Sequence, residues 1–206
     1  TLRKIIEITD GVRILLTSYF DDISYLGPLR EEPARRYIFD DQVNDIGVKG
    51  ENSAFLFNYF KTKNVSYFAY DPTKEEFVEK EETLENAARE WLDEIGILGF
   101  GSEKSEELYR FSLRSSEFSE NKVNIADVGF GVSQVVPIVI QGLLMNLGGT
   151  LILEQPEIHL HPKMQMKLAD FFLSLALSGK KVIIETHSEH MINRFVRRIV
   201  EDTTGE

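Results

Sequence analysis

The chain contains no cysteine, which removes disulfides and thiolate metal sites and suits a reducing compartment. No apolar run approaches the roughly 20 residues that a membrane-spanning helix needs. No charged-then-apolar leader opens the chain. The expectation is a soluble, cytoplasmic protein with no membrane partner. Positive charge is also scarce: 23 Lys and Arg stand against 34 Asp and Glu, a formal net charge of -11. That argues against a broad nucleic-acid face on this chain, because phosphate contacts need clustered Lys and Arg. Much of the acidity is local, since residues 71–94 hold ten acidic and three basic side chains and read as one solvated segment. No internal repeat is present.

What the chain does have is enough apolar residue, 42% of 206, to bury a core as one large domain or one domain with an appendage. Its organising stretch runs from Gly148 to Ser188. Thr150 to Leu153 is a short apolar run after a Gly-Gly break, read as a strand covered on both faces. Pro162 starts a helix whose stripe is Met164, Leu168, Phe171, Phe172 and Leu175, and Gly179 ends it. Lys181 to Glu185 is the next strand. A βαβ crossover makes the two strands parallel, so both end at one edge, the edge where open α/β sheets bind ligands. Glu154, Gln155, Glu157 and His159 therefore gather beside His187 and Ser188.

The rest of the chain is read in order. Leu2 to Leu16 suits a hairpin turning at Asp10-Gly11, with a helix as the alternative. Tyr25 to Arg30 ends a strand-like run. Arg30, Arg35 and Arg36 read as surface arginines of an exposed loop, the alternative being that one of them meets a phosphate or carboxylate near the site. Ser53 to Phe60 is a helix capped by Asn52 or Ser53, and Thr83 caps a helix to Ile95 that puts Trp91 in the core. Leu108 to Leu113 alternates like a strand, and Ser115 to Asn121 reads as polar and mobile. Gly129 and Gly131 let backbone approach a ligand, Ser133 caps the following helix, and Pro137 falls within its first turn. Such a helix start is an anion site.

Three motifs in this order resemble the ABC-class ATPases. Val128 to Gln134, VGFGVSQ, resembles their signature; the apolar run ending in Glu154-Gln155-Pro156 resembles Walker B; IIETHS resembles the switch-histidine strand. YLGPLREEP and EQPEIHLHP resemble more narrowly a bacterial family of RecF-like and OLD-like ATPases, AAA-type proteins several of whose relatives act in DNA repair or phage defence. The resemblance runs from Val123 to about Arg198 and, more thinly, from Tyr25 to Ala54.

It implies an α/β fold, the C-terminal half of an ABC-ATPase-type P-loop fold with a parallel sheet flanked by helices. Residues 1–50 would be a strand-rich segment of the core, 51–122 a variable lobe inserted before the signature, and 123–206 the signature helix, Walker B and switch-histidine part. The cofactors implied are ATP and Mg2+. Glu154 would hold the metal shell through water, replacing an aspartate. Gln155 takes the place of the catalytic glutamate; an amide orients water but accepts no proton, so hydrolysis is slow or Glu157 supplies the carboxylate. His187 would touch the γ-phosphate, and His161 lies in the loop that crosses the dimer interface. Gly129, Gly131, Ser133 and Gln134 would face nucleotide held by a second subunit in an ATP-sandwich homodimer, although the signature's usual serine is represented by Gly129 or Gly131.

No G-x-x-x-x-G-K-[ST] occurs; the one Gly-Lys pair, Gly179-Lys180, precedes a strand. The expectation is the C-terminal part of a longer ATPase, inactive alone, whose N-terminal portion carries the phosphate-binding loop, with a nuclease or DNA as further partner. Two rival readings stand beside it. One is a nucleotide-sensing module with little hydrolysis, favoured by Gln155. The other is a transition-metal hydrolase built from His159, His161, His187 and His190 with Glu157 and Glu189.

Overall fold

The computed structural model describes residues 9–12, 22–38, 45–74, 76–105, 108–116 and 119–201. In chain order the elements are β1 (Ile23–Leu26), β2 (Tyr37–Ile38), α1 (Ser53–Phe60), β3 (Asn64–Asp71), β4 (Glu76–Thr83), α2 (Leu84–Ile95), β5 (Gly101–Ser105), β6 (Leu108–Ser116) and β7 (Ser119–Asn124). They continue with α3 (Phe130–Leu144), β8 (Thr150–Glu154), α4 (Pro162–Leu177), β9 (Lys181–Glu185) and α5 (Glu189–Glu201).

The fold is α/β, with a parallel sheet flanked by helices. That sheet has the order β1–β8–β9, so two segments far apart in sequence, Ile23–Leu26 and Lys181–Glu185, flank the central strand. Leu26, Leu151 and Leu153 are fully buried on one face and share a single core with residues of α3 and α4. α3 and α4 approach at Gly142, where a side chain would meet Leu175 and Phe171 within 3 Å. α2 joins the same core, with the Trp91 ring edge-on to Phe171 at 5.2 Å. Away from this layer, β5, β6 and β7 with β2 form an antiparallel sheet, and β3 and β4 a hairpin.

Local chemistry explains most boundaries. Thr83 accepts the Asn86 amide at the start of α2, and Gly96 ends that helix in the left-handed region at φ 108°. Pro162 opens α4 where its missing amide is harmless. Ser188 caps α5, its Oγ accepting the Met191 amide at 3.1 Å. Buried Asp170 on α4 accepts from both Arg194 and Arg198 and thereby docks α5. No helix among the described residues is long and apolar enough to cross a membrane.

Several expectations are corrected. Among the described residues the strand at Thr150 to Leu153 is covered on one face: Tyr25, Ile152 and Ile183 stand in register across the three strands on the other, with Tyr25 and Ile183 exposed. α3 begins at Phe130 with Gly129 at its N-cap. Ser133 thus lies a turn inside, donating to the Phe130 carbonyl, and Pro137 sits mid-helix. The proline removes one helical rung, and its ring packs so closely on Gly50 that a side chain there would meet it at 2.5 Å. Residues 115–116 and 119–121, read as a mobile polar stretch, belong to the β6–β7 hairpin. Residues 9–12 are helical, which is the alternative reading of that stretch and not the hairpin turn; the other residues of Leu2 to Leu16 lie outside the described residues.

Candidate functional site at the carboxyl edge of the parallel sheet

β8 and β9 run parallel in register from Thr150–Lys181 to Glu154–Glu185, and the Gln155 amide extends the ladder by donating to the Glu185 carbonyl at 2.8 Å. The chain then leaves the sheet abruptly. Gln155 at φ 45° and His159 at φ 61° both occupy the left-handed region, uncommon for residues other than glycine, although His, Asn and Asp enter it more often than most. Between them the loop presents Glu157, whose Oε1 accepts the backbone amide of His187 at 2.7 Å. Its other oxygen, Oε2, is buried without a partner. Glu154, Gln155, Glu157 and His187 are therefore brought to one edge, and the His187 side chain is exposed there.

Two residues that the sequence did not single out as site residues hold this edge in place. Tyr25 pairs in register with Ile152, which puts it on the same face as Glu154, and its hydroxyl donates to Glu154 Oε1 at 2.8 Å. That bond to a carboxylate raises the phenol's pKa. Arg30 is 3% exposed, not a surface arginine. Its guanidinium donates to the carbonyls of Glu154 at 3.1 Å and Gln155 at 3.4 Å, and its backbone amide donates to Gln134 Oε1 at 3.0 Å. Burial pulls its pKa down to about 10, with Glu157 pushing the other way, so it stays cationic at neutral pH. Arg35, by contrast, is exposed and pairs with Asp127.

The glycine turn lies against this loop. No side chain caps α3, which leaves its first amides free of side-chain partners. Gly129 is exposed, with open space around the position of a side chain, whereas Gly131 is pressed on the His159 carbonyl. The Phe130 ring meets His159 edge-on at 5.2 Å. Ser133 and Gln134 are buried behind the turn, Ser133 bonded to Phe130 and Gln134 to Arg30, with Gln134 Nε2 unpartnered. His161 stands at the N-cap of α4, its Nδ1 accepting the Lys163 amide at 3.2 Å.

Among the described residues no three His, Asp or Glu side chains converge as a metal cage. A magnesium ion bound through nucleotide needs less, one or two carboxylates beside phosphate oxygens and water. The hard oxygens of Glu154 fit that requirement, while Glu157 keeps Oε2 without a partner.

A family model described as the AAA ATPase domain matches residues 35–192, more than half of the chain, including every residue from Gly129 to His187 discussed above. The chain belongs to the AAA ATPase domain family. The matched span of this AAA ATPase domain includes the start of α3 and the loop after β8. A comparison with curated proteins found no match. Among solved structures, the crystal structure of the Smc head domain with an extended coiled coil bound to the C-terminal domain of ScpA, from Pyrococcus furiosus, is similar at TM-score 0.41 and 13% identity. The match covers 54% of this chain and 29% of that one.

Proposed function

We propose that the complete protein binds and hydrolyses ATP with Mg2+ at a homodimer interface, as a RecF-like or OLD-like switch in DNA repair or phage defence, and that this chain supplies the signature, Walker B and switch-histidine parts. The observation that carries the reading is the meeting of Glu154, Gln155 and Glu157 with His187 at one edge of a parallel sheet.

Phosphoryl transfer needs little covalent chemistry from the protein and much positioning. Glu154, steadied by Tyr25, would hold the metal shell; Mg2+, when bound, neutralises charge on the β- and γ-phosphates. Gln155, fixed at its amide by Glu185 and at its carbonyl by Arg30, would orient the attacking water. Glu157 would accept the proton that an amide cannot, and His187 would donate to the γ-phosphate. The uncapped start of α3 at Gly129 to Gly131 offers amides to an anion. His161 would lie near the second subunit.

The phosphate-binding loop would come from outside these residues. Lys180, the lysine of the chain's one Gly-Lys pair, is buried with Nζ donating to the carbonyls of Gly142 and Leu143, and so faces no phosphate. The open row Tyr25, Ile152 and Ile183 supports a further layer on the sheet, since parallel sheets are ordinarily covered on both faces. In this reading residues 1–50 and 123–206 are ATPase core, residues 51–122 a variable lobe, the protein is cytoplasmic, and a nuclease or DNA is the effector.

Gln155 favours a second reading, a nucleotide-sensing module that binds ATP and scarcely hydrolyses it. Titration calorimetry with ATP and Mg2+ tests both. The complete protein should bind, and this chain alone should bind weakly, because most phosphate contacts come from the loop it does not carry. Submicromolar binding by this chain alone would overturn the division of parts. Binding without phosphate release by the complete protein would favour the sensor.

A further inference from the structure

We propose that Arg30 is a positioning residue, a link that helps set the Gln155 turn and ties it to α3 behind the glycine turn. The inference rests on the ATPase reading above and adds to it a residue on the loop after β1.

A guanidinium shut away from water is costly unless its donors are used. Among the described residues Arg30 forms no ion pair; its fork is spent on two consecutive carbonyls, those of Glu154 and Gln155, and its Nε has no partner. This is unusual use of an arginine, whose planar fork ordinarily engages a carboxylate or phosphate. What it does here is close the open end of β8. The carbonyl of Gln155 has turned away from the ladder because the residue is left-handed at φ 45°, a conformation that costs of order 1–3 kcal/mol and persists only where its surroundings hold it. The amide of Gln155 is held by Glu185, and its carbonyl accepts both Arg30 at 3.4 Å and the Ile158 amide at 3.3 Å, so the direction in which the Gln155 side chain leaves the backbone is set from both sides.

The same residue reaches the other way. The Arg30 amide donates to Gln134 Oε1, and Gln134 is wholly buried on α3, the helix opened by Gly129 to Gly131. A shift at the start of α3 therefore reaches Gln155 through one residue and two sets of hydrogen bonds. The arrangement gives a physical path from a group seated on the glycine turn to the residue that orients water.

The test uses the complete protein and compares wild type with Arg30→Lys, which keeps the charge but reaches the carbonyls as a point donor without the fork. Since Arg30 is buried, Gln134→Met approaches the link from its other end, preserving volume and removing the acceptor of the Arg30 amide. Phosphate release, ATP affinity and melting temperature are measured for each. The expected result is a kcat lowered about tenfold to a hundredfold, the effect of small misplacement, with ATP affinity held within about twofold in at least one variant that melts like wild type. A structural role alone would not give that split. Unchanged kcat in both variants, or kcat and affinity falling together with the melting temperature, would overturn the proposal. A wild-type protein that neither binds nor hydrolyses ATP would overturn the ATPase reading itself, and is distinguished by needing no variant.

Discussion

A side chain on Gly131 would stand 2.2 Å from the carbonyl oxygen of His159 and 2.9 Å from its carbonyl carbon. The glycine turn and the loop after β8 are thus in backbone contact, and the glycine at 131 is required by that approach whether or not a ligand is bound. Gly129, two residues earlier, has nothing within 4 Å of the same position.

The two glycines should therefore respond differently to alanine. At 131 the obstructing atoms are backbone, which cannot swing aside, so Gly131→Ala should cost about 1–3 kcal/mol, the range for overpacking. Gly129→Ala, at φ -58° in open space, should stay within about 0.5 kcal/mol. Urea unfolding of both variants reads the difference directly. Equal midpoints would contradict the packing described.

The parallel edge was legible because its causes are local and periodic. Pro162, the apolar stripe of α4 and Gly179 define a crossover, and a crossover dictates that β8 and β9 end together. The role of Arg30 was not legible: nothing in YLGPLREEP distinguishes an arginine that folds back on β8 from one in solvent, because the deciding contact is made with residues 124 and 125 positions away. The start of α3 was misplaced for a related reason. Ser133 has the chemistry of a cap, but the helix starts at Phe130, whose ring meets His159 29 positions on, a contact no local pattern reveals. Pro137 looked like a first-turn residue because its partner, Gly50, lies far away in sequence.

Lys180 gives a pH-dependent signature. Burial, with a smaller contribution from Lys63, pulls its ammonium down to about 8 from an ordinary 10.5, against the two helix carbonyls that favour the cation. The native state then binds fewer protons than the unfolded chain between those values, so the contribution of this group to stability rises with pH through that window and is at its lowest below it. The full span is roughly 3 kcal/mol. Unfolding free energies of wild type minus Lys180→Met, measured at pH 7 and pH 10, should differ with that sign. A difference that does not change with pH would contradict the burial argument.

Exposure at Gly129 also offers a clean probe of a second subunit. Gly129→Arg has room within the chain, so it should leave the melting temperature nearly unchanged while blocking nucleotide-dependent dimerisation of the complete protein. Light scattering with a non-hydrolysable ATP analogue is the measurement. A variant that dimerises like wild type would return the glycine turn to a packing role.

The central claim is that Glu154 and Gln155 serve metal-dependent ATP hydrolysis, and steady-state phosphate release by the complete protein tests it most directly. Glu154→Gln removes a hard oxygen ligand and should lower Mg2+-dependent turnover about a hundredfold or more. Gln155→Glu adds a proton acceptor at the position of the oriented water and should preserve or raise turnover. Turnover by Glu154→Gln at the wild-type rate, or hydrolytic activity that depends on zinc and ignores ATP, would contradict the account.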